Sequence, residues 1–158
     1  MKVFKKFYFL AIFSPVFLFS QNTDIVKNRF YITPGCLFFD GDTTPTLGIG
    51  YRYHKEKIGG DISLHSFLIS ICGQIGGLPY AKGSFLYYPQ TQGVYCGVGV
   101  NAGVWGVGPV FTGGCEFFSK SKFFLFAQAD FTYPRFAGHY STFALKNSLG
   151  SVSLGIGF

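Results

Sequence analysis

The stretch Val94-Tyr95-Cys96-Gly97-Val98-Gly99-Val100-Asn101-Ala102-Gly103-Val104 decides the fold. Val94, Cys96, Val98, Val100, Ala102 and Val104 fall on one side of an extended chain, and Tyr95, Gly97, Gly99, Asn101 and Gly103 fall on the other. Side chains of a strand point alternately to the two faces of a sheet, so this period of two predicts a strand with one apolar face and one small or polar face. No 3.6-residue apolar period with helix caps appears anywhere from Arg29 to Phe158.

The alternation recurs outward from this segment. Phe123, Leu125, Ala127, Ala129, Phe131 and Tyr133 alternate with Phe124, Phe126, Gln128, Asp130 and Thr132. The last ten residues set Val152, Leu154, Ile156 and Phe158 against Ser151, Ser153, Gly155 and Gly157. Less regular strands are predicted over Arg29–Phe39, Thr46–His54, Ile58–Ser70, Pro79–Tyr88 and Pro109–Phe118, giving eight in an all-β chain. In the third, the apolar set changes phase from Ile62 and Leu64 to Phe67, Ile69 and Ile71, which predicts a bulge near Ser66.

The N-terminus reads differently. Lys2, Lys5 and Lys6 precede an apolar run, Phe7–Phe19, that ends at Ser20 and is too short to span a bilayer. This is the pattern of a secretory signal peptide over 1–20, although Leu18 is larger than the small residue preferred near the cut. A short periplasmic leader, 21–28, and a barrel over 29–158 follow. Removal of the three lysines lowers the net charge from +6 to +3. No basic cluster then remains to argue for nucleic acid. An aromatic content of 20% excludes disorder.

With 48% apolar and only 13% charged residues, the chain is also unlike an ordinary soluble domain. A sheet in hydrocarbon must close, because lipid offers no partner for edge N–H and C=O groups. Strands of about 9–11 residues are needed, and the length suits eight of them but not twelve. At eight strands side chains fill the interior, which disfavours an open pore and makes inward Gly and Ser interchangeable by size, as at Gly99. The expected structure is a closed antiparallel up-and-down transmembrane barrel with both termini periplasmic. The connections Lys55–Lys57, Pro89–Gln92 and Ser119–Lys122 are then the short periplasmic turns, and Asp40–Pro45, Cys72–Leu78 and Phe136–Lys146 the longer outer loops.

In this pattern the chain resembles the small eight-stranded bacterial outer-membrane barrels, the class of the OmpA membrane domain and OmpX, over nearly all of Arg29–Phe158. Proteins of that class commonly end in an aromatic residue read by the barrel-insertion machinery. Phe158, with Ile156 two places earlier, matches that ending, while Ser153 stands where the signal usually has glycine. The resemblance implies a non-catalytic surface or envelope protein of the Gram-negative outer membrane. Its partners would be membrane lipid, lipopolysaccharide and the insertion machinery, and its outer loops would bind a further partner.

The polar residues are read against this frame of faces. Arg52, Asp61, Lys82, Asn101, Glu116 and Asp130 all share the inward parity, and form the expected lumen polar network. Strand direction puts Arg52, Asp61 and Glu116 in the periplasmic half, and Lys82, Asn101 and Asp130 in the outer half. His54 and His65 are also inward and read as polar fill; with His139 they lie on separate segments, without the spacing of a metal site. Gly97-Val98-Gly99-Val100-Asn101-Ala102 fits a dinucleotide fingerprint formally, with Glu116 beyond it, but no helix can begin there. No cofactor is expected. His139-Tyr140-Ser141 resembles the His-x-Ser motif of barrel lipid A deacylases of the PagL class, but no acidic residue follows Ser141 to orient the histidine, and Thr142 replaces that family's Asn. The other alternative is a secreted lipocalin-like ligand-binding barrel, which would place apolar residues inside and charge outside. Of the four cysteines, Cys36, Cys72, Cys96 and Cys115, a turn at Trp105-Gly106 would set Cys96 opposite Cys115, although both sit in the apolar alternation and read as free thiols.

Overall fold

A computed structural model describes residues 27–39, 42–71, 74–89, 93–104, 106–117, 123–133 and 148–158. The signal-peptide reading and nearly all of the leader lie outside the described residues. Eight strands follow in order: β1 (Lys27–Phe39), β2 (Asp42–Lys55), β3 (Ile58–Ile71), β4 (Gln74–Tyr87), β5 (Val94–Gly103), β6 (Gly106–Phe117), β7 (Phe124–Thr132) and β8 (Leu149–Gly157). Each pairs antiparallel with its neighbour, and β1 pairs with β8 to close the barrel. Lys27 and Phe158 share one end, here called the terminal end; the other is the distal end.

The closing seam contains a proline. Phe30 and Phe158 exchange both backbone hydrogen bonds, at 3.2 and 3.0 Å, and the ladder continues through Ile32 and Ile156. In this register Leu154 would next receive the N–H of residue 34, but Pro34 has none. The Thr33 hydroxyl donates to the Leu154 carbonyl instead, at 3.2 Å. The seam therefore closes without leaving that carbonyl unpaired.

Face assignment follows the alternation. Ile62, Leu154, Phe30 and Leu47 on the outward face are each at least 60% exposed, whereas Arg52 and Asp61 inside are 1% exposed. The narrow lumen is filled by matching large residues with small ones directly across the ladder. Phe124 faces Gly157, Phe126 faces Gly155, Tyr31 faces Gly50, His65 faces Gly48, Tyr95 faces Gly114 and Leu86 faces Gly97. A Cβ added at any of these six glycines would run into the side chain it faces. Buried apolar and aromatic side chains cluster towards both ends: Leu37, Phe67, Tyr80 and Leu149 at the distal end, and the groups Tyr31, Phe124, Phe126 and Leu86, Tyr88, Tyr95 towards the terminal end.

Four sequence expectations are corrected. β3 pairs without interruption with both neighbours, so there is no bulge at Ser66. Its apolar phase changes because Phe67 turns inward into the distal cluster while Leu68 still faces out. β1 starts at Lys27, before Arg29, and β2, β4 and β6 start earlier than Thr46, Pro79 and Pro109. Backbone pairing continues through Asp42-Thr43-Thr44-Pro45 and from Gln74 onward, where apolar alternation has stopped. Residues 40–41 and 72–73 are all that separate those strands, so at the distal end only the connection 133–148 is long. Finally, Gly99 is not interchangeable with serine: a Cβ there would overlap the Gly83 carbonyl and stand 2.6 Å from Ser84 Cα.

This last point gives a contrast within one barrel. Gly99→Ser should lower stability by roughly 1–3 kcal/mol through overpacking. Gly113→Ala, whose Cβ enters open space, should change it by no more than about 0.5 kcal/mol. Urea unfolding of the refolded variants measures both, and equal stabilities would contradict the packing described.

Candidate functional site

The inward polar residues form one connected network. Arg52, on β2 directly across from Asp61 on β3, is its centre. Its Nε donates to Asp61 Oδ2 at 2.8 Å, one terminal nitrogen to Glu116 Oε1 at 3.1 Å and the other to Gln128 Oε1 at 2.7 Å. Three tyrosine hydroxyls complete the acceptors: Tyr31 donates to Asp61 Oδ1, Tyr88 to Glu116 Oε1 and Tyr95 to Gln128 Oε1, each at 2.8 Å. The guanidinium also lies over the rings of Phe126 and Tyr95, 4.5 and 4.7 Å from their centroids. A cation taken out of water is tolerable only when charge partners and hydrogen bonds replace the lost hydration, and aromatic faces add to that.

A second ion pair lies nearer the distal end. Lys82 Nζ donates to Asp130 Oδ2 at 2.9 Å, and Thr112 Oγ1 to Asp130 Oδ1 at 2.6 Å. Gln128 joins the two groups: its oxygen accepts from Arg52 and Tyr95, while its nitrogen donates to both Asp130 oxygens at 3.2 and 3.1 Å. Asn101 stands aside, donating to Thr132 Oγ1 at 3.1 Å. Of the six residues singled out in the sequence, the structure thus links five through Gln128 and leaves Asn101 beside them. Gln128 and the three tyrosines were not singled out. Inward parity was their only signal, and a tyrosine on that parity reads equally well as apolar filling.

The remaining candidates have local roles. His54 stacks on Tyr88 with centroids 3.8 Å apart, its Nε2 2.7 Å from the Glu56 carbonyl oxygen. His65 stacks on Tyr80 at 4.8 Å and lies 2.9 Å from Ser63 Oγ, with both members of this His–Ser pair buried in the lumen. Among the described residues no group of three His, Cys, Asp or Glu side chains could hold a metal ion. Gly97 and Gly99 lie within β5 and open no helix. His139, Tyr140 and Ser141 fall outside the described residues. Cys36, Cys96 and Cys115 are free thiols. Cys96 faces Gly113 and Cys115 faces Val94, because Gly103 pairs with Gly106 and the turn sits one residue earlier than Trp105-Gly106. Ile156 and Phe158 are both outward and exposed, on or just after the final strand.

No protein-family model matches the sequence, and no curated protein does. Solved structures do. Neisserial surface protein A aligns with a TM-score of 0.56 at 14% identity, over 82% of this chain and 94% of that one. The N-terminal β-barrel domain of Pseudomonas aeruginosa OprF gives 0.55 at 14% identity, over 85% and 98%. Ail, the attachment invasion locus protein of Yersinia pestis, in complex with the heparin analogue sucrose octasulfate, gives 0.54 at 14% identity, over 84% and 95%. The fold is that of the small eight-stranded outer-membrane β-barrels. Within this fold the lumen is occupied by the ion network, with clusters of buried apolar and aromatic side chains around it.

The two cations should differ in weight. Arg52→Met leaves Asp61 and Glu116 buried without their shared cation, which costs about 3–5 kcal/mol. Lys82→Met leaves Asp130 still bonded by Thr112, Gln128 and Ser151, so it should cost less. Denaturant unfolding of both variants tests the ranking, and a larger loss at Lys82 would reverse the assignment of Arg52 as the centre.

Proposed function

We propose that this chain is a non-catalytic barrel of the outer membrane, an envelope or surface protein with both termini on the periplasmic side. One observation carries the reading: charge is buried in the lumen while Phe30, Ile49, Ile62, Leu64, Val98, Phe111 and Leu154 are exposed on the outside. A soluble ligand-binding barrel needs the opposite distribution, and here such a surface would be an aggregation liability in water. Hydrocarbon resolves both problems at once, because the outward band is solvated by lipid and the closed ladder leaves no edge.

Three finer points belong to this proposal. The connection 133–148 is the longest between strands, and it is where a partner outside the cell would be met. Ail, a barrel of the same fold, is described in complex with a heparin analogue, which supports a polyanion such as a sulfated glycan or lipopolysaccharide as the kind of partner to try first. Ile156 and Phe158 are the residues offered to the barrel-insertion machinery at the end of β8.

Two measurements test the central statement. The mature protein should fractionate with outer membranes and migrate differently on gels before and after boiling; recovery in the soluble periplasmic fraction would overturn it. Val98→Arg, on the outward face midway along β5, should cost roughly 2–4 kcal/mol in lipid vesicles. A neutral outcome there would show that this face does not meet hydrocarbon.

A further inference from the structure

The outward face is not evenly filled. Near the terminal end, Phe85, Tyr87, Cys96, Gly97, Val98 and Phe111 line an open apolar groove of about 400 Å³ across β4, β5 and β6. A small residue accounts for it: Gly113, directly across from Cys96, has only open space where a side chain would stand.

A basic turn stands at the terminal end of this groove. Tyr87 pairs with Ile58, and the Tyr88 N–H donates to the Lys57 carbonyl at 2.9 Å. These contacts fix the β2–β3 turn Lys55-Glu56-Lys57 beside the Tyr87 wall. Glu56, with φ of 54°, makes the tight reversal. Lys55 and Lys57 are both exposed, and Lys27, paired with His54, adds a third cation next to them. Within the turn itself one carboxylate, Glu56, stands between the two lysines.

We propose that the groove and this turn together hold one anionic phospholipid of the leaflet at the terminal end, with an acyl chain in the groove and its phosphate at Lys55 and Lys57. Charge complementarity selects an anionic headgroup, and the apolar lining selects a chain. A free phosphate would use only the lysines. A second copy of this chain would set its own lysines against them. The inference rests on the barrel spanning a membrane.

The test is native mass spectrometry of the refolded protein released from detergent micelles containing equal phosphatidylglycerol and phosphatidylcholine of identical chains. Each lysine is expected to favour the anionic lipid by about fivefold. Lys55→Gln/Lys57→Gln should bring the ratio close to one, and Cys96→Phe, which fills the groove, should lower retention of phosphatidylglycerol. Millimolar inorganic phosphate should not displace the lipid. Equal retention of the two lipids by the unaltered protein, a preference surviving the lysine changes, retention undiminished by Cys96→Phe, or displacement by phosphate would each overturn the proposal. Heat-shifted gel mobility, read on the same samples, separates the two levels. A retained shift without lipid selection refutes the site alone, and loss of the shift refutes the membrane barrel and the site with it.

Discussion

Eight strands closing through β1 and β8 leave a lumen only as wide as the side chains that fill it. Nearly everything else follows from that width. Many bulky inward residues need a cross-strand neighbour with no side chain, which is why Phe124, Phe126, Tyr31, His65, Tyr95 and Leu86 face glycines. Such pairs pin the register, because a slip of one residue would turn every ring out of the lumen. The Thr33 hydroxyl bond to Leu154 serves the same end by keeping the seam closed beside Pro34.

The same narrowness excludes bulk water and so governs how charge is held. Asp61, Glu116 and Asp130 are bonded by Arg52 and Lys82 and by the hydroxyls of Tyr31, Tyr88, Thr112 and Ser151, with Gln128 between the two groups. A buried ion pair is costly to break, although hydrophobic residues could often replace it at little cost. Its contribution here is to fix which residues face each other across the lumen, from β2 to β7. Rigidity inside leaves the connections and the outward surface as the places where the molecule can meet partners.

Strand number, closed order and the direction of most side chains were legible because a period of two is written in the residues themselves. Strand limits were not, since pairing through Asp42–Pro45 needs no apolar alternation. Nor was the unbroken course of β3, where an inward Phe67 mimics a phase change. Cys96 and Cys115 show a third kind of failure: moving a turn by one residue shifts a cross-strand partner by two, and the sequence near Trp105 does not fix the turn. In the lumen, parity collected the charged residues but could not show which pairs meet. It also passed over Gln128, whose role depends on distances between β2, β6 and β7.

The claim that the apolar face meets hydrocarbon is tested most directly by tryptophan scanning. With Trp105 replaced by phenylalanine, single tryptophans at Ile49, Ile62, Leu64, Val100 and Leu154 would be placed in vesicles whose acyl chains carry bromine. Strong quenching is predicted at all five positions, deepening towards the middle of each strand. Fluorescence unaffected by bromine at these positions would contradict the membrane-spanning account.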